Sequence, residues 1–69
     1  MRKFIKTSTQ SHPRIVELET VQVDGQAGVL FTMRRPNSGI GRHAFLTPSE
    51  FKEFIAQCQD VLYYLEAEA

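Results

Sequence analysis

Apolar and polar positions alternate along the first two-thirds of the chain and change to a helical spacing in the last third. From Arg14 to Val23 the residues are rich in β-branched types and broadly alternate, which predicts a half-buried strand. Asp24-Gly25 marks a turn, and Gly28 to Arg35 predicts a second strand, so the pair forms a hairpin with Asp24 to Ala27 near its tip. Pro36-Asn37-Ser38-Gly39 breaks that strand, and Gly41 to Leu46 predicts another that leads straight into a helix. Ahead of these lies a basic and polar arm, residues 1–13, read as a short first strand followed by the loop Thr7 to Pro13. Residues 14–69 are read as one domain.

The start of the helix is marked three times over. Thr47 is an N-cap, Pro48 occupies the first helical position, and Thr47-x-x-Glu50 matches a capping box. Phe51, Phe54, Ile55, Cys58, Val61, Leu62 and Leu65 recur at spacings of three and four and form one apolar stripe, with Lys52, Glu53, Gln57 and Asp60 opposite. A helix from Thr47 to about Glu66 runs ~30 Å, whereas a strand of ordinary length covers only ~17 to 20 Å. The helix therefore outruns its own sheet, and a second copy of the same helix is the simplest cover for its far turns. The expected fold is α+β: a small curved antiparallel sheet of three to four strands, then one long C-terminal helix, in a homodimer held by Phe54, Cys58, Val61, Leu62 and Leu65.

Length sharpens the case for a partner. A chain of 69 residues buries only about 60% of its unfolded surface, so a self-sufficient core is marginal. The single Cys58 cannot form an internal disulfide, and its place on the apolar stripe suits packing better than reactivity. No apolar run approaches the ~20 residues of a membrane span, and the N-terminus has no signal-peptide core, so a cytoplasmic protein with no membrane partner is expected.

Charge changes the picture more than composition does. The net charge is zero, but Arg2, Lys3, Lys6 and Arg14 lead the chain and Arg34, Arg35 and Arg42 follow, leaving only Lys52 elsewhere. Acidic residues occupy other stretches: Glu17, Glu19 and Asp24 early, then Glu50, Glu53, Asp60, Glu66 and Glu68 towards the end. Such sorting predicts one basic and one acidic face.

No nucleophile elbow and no HExxH occurs, and His12 and His43 are too far apart to make a metal pattern, so neither catalysis nor a cofactor is expected. Gly39-Ile40-Gly41-Arg42 looks like a phosphate loop but lacks the GK[ST] ending and precedes a strand. The parity of the second strand says more. Val29, Phe31 and Met33 share the core face, while Arg34 lies on the other, with Arg35 and Arg42 near the strand ends. Phe45 alternates outward if Ala44 and Leu46 pack beneath the helix. Arginines beside an exposed ring are what single-stranded nucleic acid needs, since guanidinium groups pair with phosphates and rings stack on bases. The candidate nucleic-acid residues are Lys6, Arg14, Arg34, Arg35, Arg42, His43 and Phe45. A solvated arginine strand with Phe45 in the core is the plain alternative.

The order of strands, Gly-Arg segment and proline-initiated helix resembles the DNA-binding domain of the positive cofactor four family of transcriptional coactivators. Gly41-Arg42-His43-Ala44-Phe45-Leu46-Thr47-Pro48 is similar to the family's Gly-Arg/Lys segment and Leu-Asn-Pro helix start, with Phe51 where the family has an aromatic three residues after the proline. Val29-Leu30-Phe31-Thr32-Met33-Arg34 resembles its Val-Leu-Ile-Asp-Ile-Arg strand, and Arg14-Ile15-Val16 the start of the strand before. The resemblance implies a homodimer presenting basic and aromatic side chains to single-stranded or melted DNA, with Arg14, Arg34 and Arg42 on family positions. It departs at Pro36-Asn37, where the family has an aromatic, and at Asp24-Gly25-Gln26-Ala27, where the family hairpin is basic. The regulatory arm is short, as in a minimal bacterial or viral version acting in the nucleoid or the host cytoplasm. The expected role is a non-catalytic accessory to transcription, replication or recombination, able to meet proteins of those processes. Two alternatives stand beside it: a protein-interaction adaptor or inhibitor using the acidic helix face or Tyr63 and Tyr64, and an RNA-binding module.

Overall fold

A computed structural model describes residues 1–8 and 11–68. The chain forms an open four-stranded antiparallel sheet in the order of the sequence, β1 (Arg2–Lys6), β2 (Ile15–Val23), β3 (Gln26–Arg34) and β4 (Gly41–Leu46), followed by α1 (Pro48–Glu68). This is the α+β plan expected from the pattern, with all four strands present. No helix among the described residues is long and apolar enough to cross a membrane.

The central hairpin is tighter and longer than its sequence suggests. Its tip is Asp24-Gly25 alone, both with positive φ (51° and 78°), which is the pairing that a two-residue primed turn requires. Gln26 and Ala27, expected in the turn, are the first residues of β3, which ends at Arg34 rather than Arg35, and β2 begins at Ile15 rather than Arg14. The turn sets the register, Val23 opposite Gln26 through Ile15 opposite Arg34. β1 pairs along β2 from Arg2 opposite Glu19 to Lys6 opposite Ile15. Thr7 N–H donates to the Arg14 carbonyl at 2.9 Å, closing the chain's return to β2.

Register and alternation assign the two faces. Val29, Phe31 and Met33 stand beside Leu46, Ala44 and Arg42 respectively, with Leu18 and Val16 across β2. Phe31 meets Phe54 of α1 edge to face at 5.7 Å, so this is the helix side. Leu30, Thr32 and Arg34 lie on the outer side with Phe45, His43 and Gly41.

The helix begins where the capping box places it. Thr47 Oγ1 accepts from the Glu50 N–H at 3.2 Å, and Glu50 Oε1 accepts from the Thr47 N–H at 2.9 Å. Replacing Thr47 with Ala removes one of the two bonds and is expected to cost about 1 kcal/mol, read as a lower urea midpoint with an unchanged m-value. The helix continues two residues beyond the expected Glu66.

Only the first part of α1 rests on the sheet, against β3 and β4. No apolar side chain among the described residues is buried. A compact monomer of 7.9 kDa exposes about 4,400 Å², whereas this chain exposes 5926 Å². Its radius of gyration, 14.0 Å, likewise exceeds the ~11 Å of a compact chain this long. Val61, Leu62 and Leu65 are each more than half exposed, because nothing in the same chain lies over them.

Candidate nucleic-acid interface

Where α1 stops covering the helix side of the sheet, an open groove of about 730 Å³ remains. Its apolar floor is Phe31, Met33, Ile40 and Ala44, with Arg14, Arg35 and Arg42 around it and with Arg34 and His43, which alternate to the outer side, at its edge. No carboxylate is among its described lining residues. Five of the seven candidate residues therefore meet at one end of the sheet. Ile40 is 86% exposed and Met33 45% exposed, so apolar surface in the groove is open to solvent.

The local chain explains each placement. Arg42 pairs with Met33 in the ladder, so the alternation that carries Ala44 and Leu46 beneath the helix carries Arg42 to the helix side as well. Arg14 precedes β2, with its Nη1 donating to the Pro13 carbonyl at 2.8 Å. Arg34 stands at the sheet end, where its Nη1 lies 3.5 Å from the carbonyl oxygens of Arg35, Pro36 and Ser38. Contacts that long are weak, and they orient the loop that carries Arg35 and Ile40 more than they occupy the guanidinium. Ser38 Oγ accepts from the Ile40 N–H at 3.1 Å, which holds the same loop from its far side.

Phe45 and Lys6 are not brought to this groove. Phe45 does alternate outward, but its ring lies down over Gly28 on the opposite face and is half-buried there. A Cβ at Gly28 would meet that ring and would sit 2.6 Å from the Leu46 carbonyl oxygen, so only glycine leaves room for it. Lys6 pairs with Ile15 on the outer side at the edge strand. The expected single outer surface of arginines and Phe45 is thus divided between two faces.

The outer face is also less basic than the sequence suggests. Glu17 is buried at its centre and accepts from Arg2 Nε at 2.6 Å, the one ion pair among the described residues. The hydrogen bond donated to Glu17, and then the charge of that carboxylate, raise the Arg2 guanidinium above its ordinary value. Arg2, counted among the leading basic residues, is therefore engaged within the fold. A pairing of β1 with β2 was needed to see this, because Arg2 and Glu17 are 15 positions apart.

No protein-family model, curated protein or solved structure matches the chain. No group of three or more His, Cys, Asp or Glu side chains gathers among the described residues. Of the proposed dimer residues, Phe54 packs against Phe31 and Phe51 of its own chain, with ring centroids 5.7 and 6.4 Å apart. Cys58, Val61, Leu62 and Leu65 remain exposed.

Proposed function

We propose that the chain is a non-catalytic, homodimeric protein that binds single-stranded nucleic acid with little sequence preference, through the groove at the end of its sheet. The observation that carries this reading is the groove's composition: Arg14, Arg35 and Arg42 around an open apolar floor, with Arg34 and His43 at its edge and no described carboxylate lining it. Guanidinium groups pair with phosphates, and an unstacked base presents an apolar face that Met33 and Ile40 can cover. A paired duplex keeps its base faces stacked and offers only its charge. The reading agrees with the resemblance to the positive cofactor four family, in which single-stranded or melted DNA is bound by a dimer, and it suits an accessory role in transcription, replication or recombination.

Dimerisation is part of the same proposal and rests on surface area. The chain exposes about 1,500 Å² more than a compact monomer of its mass, so two copies together have about 3,000 Å² to cover. That lies in the range of obligate homodimers.

Fluorescence anisotropy with labelled oligo-dT tests the function. Micromolar or tighter binding at low salt is expected, with a duplex of equal length bound at least about tenfold more weakly. Failure to bind oligo-dT at low salt ends the proposal. An adaptor role has one observation of its own: Tyr63 and Tyr64 are 77% and 67% exposed and lie to either side of the apolar stripe. If Tyr64→Ala abolishes the protein's action while Arg42→Ala spares it, the adaptor reading prevails.

A further inference from the structure

The arginine groove and the far end of α1 are complementary, and one copy of the chain does not bring them together. The distal half of α1 carries Asp60, Glu66 and Glu68 with no basic residue, and the last turn has no cation to offset the negative end of the helix dipole. The groove holds four arginines and no described carboxylate. No α1 residue lines the groove, and α1 rests only its first turns on the sheet before running clear of it. When two such helices pack antiparallel along their apolar stripes, the distal half of each lies beside the proximal half of the other, which is the half seated on a sheet.

We propose that, without nucleic acid, the groove of one copy is occupied by the distal end of α1 from a second copy. Glu66 and Glu68 of that second copy, which flank its apolar stripe, then compete with phosphates for Arg14, Arg35 and Arg42. Two-fold symmetry makes the exchange reciprocal, filling two grooves with two helix ends. The exposed excess of about 1,500 Å² per copy is ample for such an interface. Val61 to Leu65 is apolar around the whole helix, which asks for cover on more than one side, and a partner's sheet supplies a second wall. A strand entering the groove must first displace carboxylates, so weakly charged ligands are excluded and the dimer loosens as nucleic acid binds. The competition rests on the reading of the groove as a nucleic-acid site, whereas the docking of helix into groove has a test of its own.

Two experiments decide the matter. In the first, labelled oligo-dT is titrated at about 50 mM salt into the wild type, into Glu66→Gln/Glu68→Gln, and into a control with as many charges removed elsewhere, Glu19→Gln/Asp24→Asn. The distal variant is expected to bind about tenfold tighter and the control to shift less than about twofold. Equal shifts in the two variants overturn the competition. In the second, without nucleic acid, Arg35→Glu/Arg42→Glu and Glu66→Lys/Glu68→Lys are each expected to weaken self-association about tenfold in sedimentation. An equimolar mixture of the two is expected to associate as tightly as the wild type, since each groove then meets an oppositely charged end. A mixture no tighter than its components overturns the docking. Because the second experiment contains no nucleic acid, it still decides the docking if the wild type fails to bind oligo-dT and the functional reading falls.

Discussion

Replacing Leu62 and Leu65 together with Asp is expected to abolish the cooperative fold, not merely the dimer. The isolated chain buries no described apolar side chain, and these two leucines lie at the end of α1 where no part of the same chain can reach them. Burying a leucine contributes about 1.5 to 3 kcal/mol, so four of them in a two-fold interface contribute about 6 to 12 kcal/mol. That is comparable to the whole stability of a small domain. The carboxylates would also be buried against the apolar proximal half of the partner's helix, adding desolvation to the loss. Far-UV circular dichroism at micromolar concentration should show an unfolded double variant, and its sedimentation should be that of a monomer. With folding coupled to the proposed association, the wild type should show a Tm that rises with protein concentration. Glu53→Gln, on the opposite helix face, should leave both readings unchanged. A double variant that stays folded as a monomer with the wild-type Tm would show that the exposed stripe has no structural partner.

How far the sequence led depended on the range of the interaction. The α1 start was legible to the residue because its signals lie within four positions, and its stripe followed from spacing alone. The hairpin was legible as a hairpin, but Gln26 and Ala27 have weak strand preference, and only the turn geometry at Asp24-Gly25 places them in β3. Phe45 was placed on the outer face by alternation, yet its ring packs down over Gly28, which depends on how close β3 and β4 approach. The arginines were hardest. Arg42 shares the parity of Ala44 and Leu46, so the register puts it on the helix side and not on the outer surface expected of it. Whether it is covered there depends on how much of the sheet α1 spans, and no local rule supplies that quantity. Arg2 looked like one more cation until the β1–β2 register put it beside Glu17.

The division of the basic residues between two faces makes the binding path testable with one set of variants. Arg14→Ala/Arg35→Ala/Arg42→Ala spares Arg34, whose guanidinium lies near the Arg35, Pro36 and Ser38 carbonyls, so the Ser38–Ile40 loop should keep its shape. Each phosphate of a single strand that goes without its arginine lowers the log–log salt slope by about 0.7, so three of them lower it by about 2. Measured from a 1 M reference, that slope corresponds to about 500-fold weaker oligo-dT binding at 50 mM salt and about 30-fold weaker at 200 mM, with the difference vanishing towards 1 M. Such convergence distinguishes missing ion pairs from a misfolded variant, which would remain weaker at every salt concentration. The outer-face pair Lys6→Ala/Phe45→Ala serves as the opposing arm, because those side chains lie away from the groove. If that pair removes most of the affinity while the triple variant retains the wild-type slope, the strand runs over the outer face across Gly28 and Phe45. The arginine groove would then serve the second copy alone, and its charge would be a device for assembly rather than for binding nucleic acid.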